Sequence, residues 1–360
     1  MTSIPAASKI RRRLVGALDP LSDMAAWNRL LARLDPAWSL DRVRARVVAR
    51  VDENADTLSL WLKTNRRWRG HRAGQHVELS LEIAGVTRRR VFSISNAAGS
   101  SRLIRLTVQR QSAGGVTDWL HAHARPGLVV ELGQAAGEFV LPEPPSDRLL
   151  MIAGGSGITP LLAMLNHLAD QDSTADIMFF QLFGHPAERL FAEELEALAR
   201  RLPGLRVIAH CSAGNGRLGA DELASRVSDL AQRTTLLCGP EGLMTDVTRA
   251  WAVLGLETRL RTERFAAPRP PAGGGAEARV HAVESEQVFT QSASLTLLES
   301  AEAAGLRPRF GCRAGLCRTC LCRKRSGQVR NLVTGLVSSQ TDEWVQLCIS
   351  VAESDLELVL

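Results

Sequence analysis

The chain reads Arg309-Phe310-Gly311-Cys312-Arg313-Ala314-Gly315-Leu316-Cys317-Arg318-Thr319-Cys320 near its C-terminal end, and a further cysteine, Cys348, follows. The spacing C-x4-C-x2-C with a distant fourth cysteine is the plant-type ligand pattern of a [2Fe–2S] cluster. Thiolates are soft, anionic ligands that suit iron and sulfide, and Gly311 and Gly315 let the backbone turn its N–H groups toward sulfur. We therefore predict that Cys312, Cys317, Cys320 and Cys348 hold one cluster.

A zinc site and structural thiols are the alternatives for these cysteines. Zinc sites usually combine two Cys-x2–4-Cys pairs, and the sequence has one such pair. A disulfide framework does not fit a 360-residue chain with seven cysteines and no apolar signal segment ahead of its first basic cluster. We interpret Cys322 and Cys211 as core or loop thiols rather than ligands.

The composition is that of a globular protein with two or three domains. Hydrophobic residues make up 45% of the chain and charged residues 23%, and no apolar run approaches the ~18–20 residues of a transmembrane helix. Because reduced thiols persist in the cytoplasm, we expect a cytoplasmic protein.

The net charge of +6 lies entirely in residues 1–50, which contain ten basic and four acidic residues. Such a basic arm suits an anionic membrane, an acidic partner or nucleic acid, and the alternative is a solvated tail. Within it, residues 22–34 have the pattern of a short amphipathic helix with Ser22 as its cap. No helix-turn-helix or RNA-binding signature accompanies the basic residues, so a redox-sensing nucleic-acid-binding protein is only a distant alternative, and we expect no nucleic-acid partner.

The pattern of apolar residues divides the chain into successive units. After the extension at residues 1–40, residues 41–145 alternate in short runs, such as His76–Ile83, that predict an antiparallel barrel. Residues 146–265 alternate strand and helix patterns, including a helix over Arg189–Arg201, which predicts a parallel α/β domain. A Pro- and Gly-rich linker at residues 266–277 precedes a compact unit at residues 278–360 that contains the cysteines.

Two glycine motifs lie at predicted strand ends of the α/β domain. Gly154-Gly155-Ser156-Gly157-Ile158-Thr159-Pro160 follows an apolar strand and opens a helix, whose N-terminus suits a pyrophosphate. It is not the pattern G-x-G-x-x-G, because Pro160 occupies the third glycine place. Cys238-Gly239-Pro240-Glu241 follows another strand, at the sheet edge where α/β proteins bind ligands. A plain tight turn is the alternative for both motifs.

These motifs together resemble the nucleotide domain of the ferredoxin–NADP reductase superfamily. Arg90-Val91-Phe92-Ser93 is similar to that family's flavin signature, Arg-x-Tyr-Ser, with phenylalanine in the tyrosine place. Gly114-Gly115-Val116-Thr117-Asp118-Trp119-Leu120 resembles its second flavin element, with Thr117 in the usual serine place. The resemblance covers roughly residues 45–360.

The resemblance implies a role for each matched residue. Arg90 would hold flavin phosphate, Phe92 would stack on the isoalloxazine ring, and Ser93 would lie near its N5 atom. Cys238 and Glu263 would flank the contact between nicotinamide and flavin, so Ser93, Cys238 and Glu263 are the expected catalytic residues. The expected cofactor-binding set is Arg90, Phe92, Ser93, Val108, Arg110, Gly114, Gly115, Val116, Thr117, Gly155, Gly157, Thr159, Pro160, Arg217, Cys238, Gly239 and Phe265.

The resemblance implies a multidomain α/β and β protein with an antiparallel flavin-binding β-barrel, a parallel α/β nucleotide-binding domain and a β-grasp [2Fe–2S] ferredoxin domain. FAD is expected rather than FMN, because the element Gly114–Leu120 suits a pyrophosphate. NADPH is expected over NADH, because His185, Arg189 and Arg217 follow strands of the nucleotide domain and could meet a 2′-phosphate.

The expected activity is that of an NAD(P)H-dependent reductase that passes single electrons to a partner protein. The layout resembles the phthalate dioxygenase reductase and phenylacetyl-CoA oxygenase reductase types, and most closely the bacterial reductases of membrane acyl-CoA or fatty-acid desaturases. A soluble ring-hydroxylating oxygenase is the alternative partner. Six basic residues lie between Arg309 and Arg325, so the acceptor is expected to dock there with acidic groups. We expect a monomer with a peripheral membrane contact through the basic arm.

Overall fold

The computed structural model describes residues 23–99, 102–111, 115–144, 146–265, 269–270 and 277–360. It confirms the expected fold class, since an antiparallel barrel, a parallel α/β sheet and a smaller mixed-sheet unit follow one another along the chain. Most of the linker and the first part of the basic arm lie outside the described residues. Within those residues, no helix combines the length and the apolar character that crossing a bilayer requires.

The described part of the N-terminal extension contains helix α1 (Met24–Leu34). Asp23 caps it, because its side chain accepts hydrogen bonds from the backbone N–H groups of Ala25 and Ala26. The expected cap, Ser22, lies outside the described residues. Asn28 ties the helix to the barrel entrance, since its side chain accepts from the Leu40 N–H at 2.8 Å and donates to Asp41 at 2.7 Å.

The barrel has six antiparallel strands in the order β4-β3-β6-β1-β2-β5. Their bounds are β1 (Val43–Asn54), β2 (Thr57–Thr64), β3 (His76–Ile83), β4 (Val86–Ser93), β5 (Leu103–Gln109) and β6 (Val129–Leu132), with helix α2 (Val116–His123) between β5 and β6. Ile94, just after β4, pairs with Leu106 of β5, so the two edge strands meet and close the barrel. Alternate apolar side chains such as Leu58, Leu60 and Leu62 fill its interior.

The α/β unit has five parallel strands in the order β11-β10-β7-β8-β9. Its elements are β7 (Arg148–Gly154), α3 (Ile158–Asp170), β8 (Asp176–Phe183), α4 (Ala192–Arg201), β9 (Leu205–Cys211), α5 (Ser212–Asn215), α6 (Ala220–Ser225), β10 (Thr234–Cys238), α7 (Glu241–Val253) and β11 (Leu260–Glu263). Helix α4 begins later than the predicted Arg189, because Phe191 has a left-handed backbone with φ of 56°.

The C-terminal unit is a five-stranded mixed sheet in the order β13-β12-β19-β14-β17, with a three-stranded sheet β16-β15-β18 beside it. The bounds are β12 (Ala278–Ala282), β13 (Gln287–Gln291), α8 (Leu297–Ala303), β14 (Leu321–Ser326), β15 (Val329–Asn331), β16 (Val337–Ser338), β17 (Glu343–Gln346), β18 (Ser350–Ala352) and β19 (Leu356–Leu358). Thr296 and Glu299 form a capping box at α8. Helix α8 packs on the sheet, and the cysteine loop follows it.

Polar contacts join the three units. The buried Arg105 of the barrel forms a two-pronged ion pair with Glu194 of α4, at 2.8 and 3.0 Å. Arg261 of β11 donates to the Val140 carbonyl at the end of the barrel unit, at 3.2 Å. Arg90 of β4 donates to the Gly311 carbonyl of the cysteine loop at 3.3 Å. The barrel therefore contacts both other units, and the cofactor motifs lie between them.

One buried arginine joins the amino-terminal ends of three neighbouring strands of the parallel sheet. Arg233, just before β10, pairs with Asp176 at 2.6 Å and Asp229 at 2.7 Å and donates to the Leu149 carbonyl at 3.1 Å. The hydrogen bonds from Arg233 lower the pKa of both aspartates. A carboxyl whose pKa is lowered by folding stabilises the fold only while it is ionised. This contribution is therefore present above the pKa of the carboxyl in the unfolded chain, and it is lost as the pH falls through the pKa in the folded protein.

We predict that Arg233→Met lowers the free energy of unfolding of the nucleotide domain by about 2–3 kcal/mol, because buried carbonyls lose their donor and two carboxylates lose their partner. Differential scanning calorimetry at neutral pH measures the loss, and the gap to the wild type should narrow below about pH 4. Arg226→Met is the matched control, because Arg226 forms an exposed pair with Glu222 and its loss should cost below ~0.5 kcal/mol. Equal transitions for both variants would contradict the prediction.

Candidate functional site

A cavity of 270 Å³ lies where the barrel, the α/β unit and the cysteine loop meet. The barrel contributes Arg90, Phe92 and Ser93 from the end of β4, together with Thr117 of α2. The end of the α/β unit contributes Glu263 and Phe265, and the cysteine loop contributes Cys312, Arg313 and Leu316. Motifs far apart in the sequence thus form the walls of one space.

A buried carboxylate links two of these walls. Glu263 ends β11, accepts a hydrogen bond from the Ser93 hydroxyl at 3.4 Å, and lies 3.1 Å from Nδ1 of His76. Burial raises the pKa of Glu263, and the contact with His76 opposes that rise. In the parallel register Glu263 stands opposite Cys238, whose complete burial raises the pKa of its thiol well above the ordinary value. Cys238 is therefore a neutral thiol, and Glu263 can hold a proton more readily than an exposed carboxyl.

Two arginines give the cavity a positive wall. Arg90 is half-buried, and burial lowers the pKa of its guanidinium, which Arg313 and Arg88 lower further. Arg313 is held by an ion pair with Glu302 and lies over the Phe310 ring at 4.0 Å from its centroid. Positive charge beside an aromatic side chain, Phe92, and hydroxyls from Ser93 and Thr117 suits a flavin with its phosphate groups.

A larger cleft of 570 Å³ opens at the carboxyl ends of the parallel strands. Gly155 and Gly157 line it between β7 and α3, and Gly239 lines it after β10. A Cβ atom on Gly157 would lie 2.2 Å from the Cys238 carbonyl oxygen, so glycine alone allows the two loops to approach each other. The cleft lies at the sheet edge and helix N-terminus that suit a dinucleotide pyrophosphate. The residues present therefore fit a nicotinamide nucleotide.

Two groups of opposite charge, Arg217 and Glu188, line this cleft. Arg217 lies after β9, and Ser212 opens the short helix α5 beside it. The Glu188 carboxylate lines the same cleft and accepts hydrogen bonds from the N–H groups of Gly184 at 3.1 Å and His185 at 3.4 Å. Glu188 is thus already bonded to the backbone, whereas Arg217 offers its charge to the cleft.

The cysteine loop directs backbone donors at sulfur. The N–H groups of Ala314, Leu316 and Cys317 each lie 3.3 Å from the Cys312 Sγ atom, and the Cys312 N–H lies 3.2 Å from the Cys317 Sγ atom. Positive φ angles at Arg313 and Gly315 produce this winding. A Cβ atom on Gly311 would lie 2.6 Å from the Cys317 sulfur, which explains the glycine before the first ligand. The loop therefore fits an anionic iron–sulfur centre.

The four predicted ligands form two thiol pairs. Hydrogen bonding with Cys312 lowers the pKa of the Cys317 thiol, and hydrogen bonding with Cys348 lowers the pKa of the Cys320 thiol. Two thiolates for each of two irons is the ligand arrangement of a plant-type cluster.

The remaining cysteines lie apart from the pairs. Cys322 is buried on β14, where its thiol donates to the Val359 carbonyl at 3.3 Å and burial raises its pKa to about 12. Cys211 ends β9, and its thiol donates to the Gly184 carbonyl at 3.4 Å.

Several predicted cofactor residues lie outside the cavity walls. The side chains of Val108 and Val116 belong to the barrel core, and Pro160 is buried in α3. Arg110 is exposed after β5, and Gly115 is the N-cap residue of α2. Cys238 is fully buried at the end of β10, and Gly114 lies outside the described residues. Direct contact of these residues with a cofactor stays a prediction, whereas Thr159 and Arg217 line the two cavities.

Sequence reasoning missed two residues that the structure places at the site. His76 opens β3, and its role was hidden because its partner Glu263 is distant in the sequence. Arg313 reaches the cavity wall from the cysteine loop. Of the two, only Arg313 could have been found from the sequence, because it directly follows the predicted cluster ligand Cys312. His76 follows Gly74-Gln75, and no motif in the sequence indicates its contact with Glu263.

Comparison with known protein families agrees with this geometry. Residues 151–249 match the family described as oxidoreductase NAD-binding domain, and residues 280–353 match the family described as 2Fe-2S iron-sulfur cluster binding domain. An NADPH oxidoreductase of Mycobacterium tuberculosis H37Rv is 32% identical over 90% of this chain and 86% of that protein. A glycine betaine monooxygenase reductase subunit of Chromohalobacter salexigens is 26% identical over 79% of this chain and 86% of that protein.

The crystal structure of phthalate dioxygenase reductase has the same fold, with a TM-score of 0.59 at 22% identity, over 88% of this chain and 97% of that one. The chain belongs to the ferredoxin–NADP reductase-type oxidoreductases that carry a C-terminal [2Fe–2S] domain. Its cofactors are those of the family, NAD(P)H, FAD and a [2Fe–2S] cluster, and the activity is electron transfer between them.

We predict that Cys312→Ser, Cys317→Ser, Cys320→Ser and Cys348→Ser each abolish the cluster, because each removes one of two thiolates from an iron. Iron and acid-labile sulfide per chain, together with the visible spectrum, measure the loss. Cys322→Ser is the matched control, since its thiol is bonded to a carbonyl in the same sheet, and it should retain the full cluster. A cluster that survives Cys348→Ser but not Cys322→Ser would overturn the ligand assignment.

Proposed function

We propose that this chain is the reductase component of a multicomponent oxygenase or desaturase, and that it delivers electrons from NADPH singly to a separate acceptor protein. When bound, the nicotinamide supplies a hydride, the flavin divides its electron pair, and the cluster passes single electrons onward. The observation that supports this most is the shared cavity, whose walls come from the flavin motif, the end of the nucleotide domain and the cysteine loop.

The chain's own residues position the cofactors and limit access to them. We propose that Arg90 and Arg313 bind flavin phosphate or other negative charge, and that Phe92 covers one face of the flavin ring. Ser93 and Glu263 are proposed to lie at the meeting point of flavin and nicotinamide, with the neutral Cys238 thiol packed behind them. Burial of these groups keeps solvent from the reacting atoms.

For the acceptor, we propose a membrane fatty acyl desaturase, with a soluble ring-hydroxylating oxygenase as the alternative. The named relative from Chromohalobacter salexigens is a reductase subunit of a monooxygenase, which supports an oxygenase-type acceptor in general. The choice of a desaturase rests on the N-terminal extension. We propose a monomeric, cytoplasmic protein that reaches the membrane peripherally.

The extension exposes apolar side chains beside its basic residues. Leu30 and Leu34, one helical turn apart on α1, are 49% and 71% exposed, and Trp38 after the helix is 50% exposed. In the alternative, Trp27 and Leu31 pack on the barrel; Leu31 is half-buried, whereas no residue of α1 is fully buried. Exposed leucine and tryptophan next to arginines suit the headgroup region of an anionic membrane.

The ferredoxin unit offers a docking face next to one thiol pair. Leu321 follows the ligand Cys320, and Arg323 stands opposite Trp344 in the β14–β17 register, with Trp344 66% exposed. The expectation that all six basic residues between Arg309 and Arg325 face the acceptor is wrong for one of them. Lys324 is fully buried, where it donates to the Gly327 and Ser338 carbonyls and pairs with Glu343. Trp344 on the edge strand β17, with Arg323 beside it on the neighbouring strand β14, favours a protein partner with acidic groups.

We predict that the purified holoprotein supports NADPH-driven acyl desaturation by desaturase-containing membranes, and that added salt weakens this coupling because exposed charges are screened. Product formation and acceptor-dependent NADPH oxidation measure it. Trp344→Ala should raise the apparent KM for the acceptor about tenfold. Val288→Ala is the matched control, since Val288 is an exposed apolar residue on the opposite edge strand β13.

Two further arms identify the acceptor and the membrane contact. Turnover with a soluble ring-hydroxylating oxygenase but not with desaturase membranes would replace the desaturase by the alternative. Removal of residues 1–20, or Leu30→Gln with Leu34→Gln, should reduce binding to anionic vesicles. Unchanged vesicle binding and turnover in both variants would remove the membrane role and leave the reductase function standing.

We predict that kcat/KM is higher for NADPH than for NADH and that Arg217→Ala reduces this ratio about tenfold, because a charged contact to the 2′-phosphate is lost. Steady-state kinetics with both nucleotides measure the ratio. Arg226→Ala is the control, because Arg226 pairs with Glu222 on the same domain. A wild-type preference for NADH would show that Glu188, rather than Arg217, decides the ribose end of the cleft.

A further inference from the structure

The loop between β2 and β3 carries a group of exposed arginines. Trp68 in the middle of the loop is buried in the barrel core, whereas Arg66, Arg67 and Arg69 on either side of it are exposed. The Gln134 side chain holds the loop backbone, since it donates to the Arg67 carbonyl at 2.7 Å and accepts from the Arg69 N–H at 3.3 Å. Three exposed guanidinium groups are therefore carried by an anchored loop of the barrel.

The acidic residues around this loop are already paired with other arginines. The pairs are Glu143 with Arg72, Glu131 with Arg42, and Asp35 with Arg46. Among the residues that the structure describes, by contrast, Arg66, Arg67 and Arg69 form no ion pair. Their three charges thus have no counterion from the described protein.

The loop offers more free charge than the adjoining part of the basic arm. Sequence counting placed the excess positive charge in residues 1–50. In the structure, four arginines of that segment each bind a protein oxygen: Arg42 binds Glu131, Arg44 the Pro36 carbonyl, Arg46 Asp35, and Arg50 Asp52. The free charge on this side of the barrel therefore comes from residues 66–69, which lie outside the arm.

Exposed apolar residues adjoin the loop. The Asn65 side chain, at the start of the loop, donates to the Ala37 carbonyl at 3.2 Å and to the Arg42 carbonyl at 2.9 Å, which joins the loop to the segment after α1. Trp38 next to Ala37 and Leu34 at the end of α1 are both exposed. Arginine combined with tryptophan and leucine is the composition that binds a lipid headgroup region, whereas a nucleic acid offers no acyl region for leucine.

Gln134 also relates the loop to the cysteine loop. Together with Cys317 and Arg318, Gln134 lines a cleft of 1000 Å³ between the barrel and the ferredoxin unit. Because Gln134 contacts the backbone of Arg67 and Arg69, the basic loop borders this cleft. A surface that binds the basic loop therefore lies close to the side of the molecule on which a predicted cluster ligand faces the cleft.

We propose that Arg66, Arg67 and Arg69, together with Trp38 and Leu34, bind an anionic membrane surface and turn the cleft beside the cysteine loop toward a membrane-embedded acceptor. The guanidinium groups pair with lipid phosphates, and the tryptophan and leucine enter the headgroup region. The orientation toward the acceptor rests on the proposed function, whereas the contact with headgroups is independent of it.

The test compares two full-length holoprotein variants that lose the same charge. The loop variant carries Arg66→Gln, Arg67→Gln and Arg69→Gln, and the control carries Arg200→Gln, Arg249→Gln and Arg259→Gln, at exposed positions of the α/β unit. Cosedimentation with vesicles of phosphatidylcholine and phosphatidylglycerol measures the partition coefficient. Since each basic residue at an anionic surface contributes about fivefold, the loop variant should bind about 100-fold more weakly and the control within about twofold of the wild type.

A second readout follows Trp38 rather than charge. Vesicles of the same composition with brominated acyl chains quench the fluorescence of tryptophans that enter the membrane. We expect quenching of the wild type that is lost in Trp38→Phe, because Trp38 is the exposed tryptophan next to the loop. Equal quenching in the wild type and Trp38→Phe would overturn the placement of Trp38 in the headgroup region.

Three outcomes separate the contact from its alternatives. Equal losses in both triple variants, or unchanged vesicle binding of the loop variant, would overturn the loop as the contact. Tighter binding of the wild type to single-stranded DNA than to vesicles, lost in the loop variant, would overturn the membrane as the partner. NADPH-driven reduction of cytochrome c in solution should be equal in the loop variant and the wild type. Failure of the wild type to reduce its own cluster with NADPH would overturn the reductase function and leave the vesicle result standing.

Discussion

The burial of the Glu263 carboxylate is the constraint on which the arrangement of the domains depends. A carboxylate that loses water requires hydrogen-bonding partners, and those of Glu263 belong to another domain. Ser93 and His76 come from the barrel, whereas Glu263 ends the last strand of the parallel sheet. Satisfying this one group therefore sets the barrel against the sheet, and the ion pair between Arg105 and Glu194 secures the same interface at a second point.

The cysteine loop completes the site through backbone geometry rather than through apolar packing alone. Arg313 and Arg318 adopt positive φ angles, an uncommon conformation for residues with a side chain, and the N–H groups of the loop point at sulfur as a result. The hydrogen bond from Arg90 to Gly311 then links this loop to the flavin strand. One wall of the central cavity is thus formed by the cysteine loop itself.

Regular periodicity made much of the fold predictable. Strand β3 has the predicted bounds His76–Ile83, because its apolar residues alternate between Gly74 before it and Gly85 after it. The start of α4 was misplaced, because a left-handed Phe191 stops the helix from extending to Arg189. The short strands β14 to β18 follow the cysteine loop with little periodicity, and Lys324 within them looked like a surface charge although three acceptors hold it in the core.

The sequence by itself determined the chemistry that depends on local spacing: the four cysteines, the glycine turns and the Arg-x-Phe-Ser stretch. Such motifs act through neighbouring residues, so their residue types and intervals carry the information. The tertiary structure alone decided which side chains from separate domains meet. The pairing of Cys320 with Cys348 and the contact of His76 with Glu263 depend on long-range packing. No local pattern records that packing, because the two partners of each contact lie far apart in the sequence.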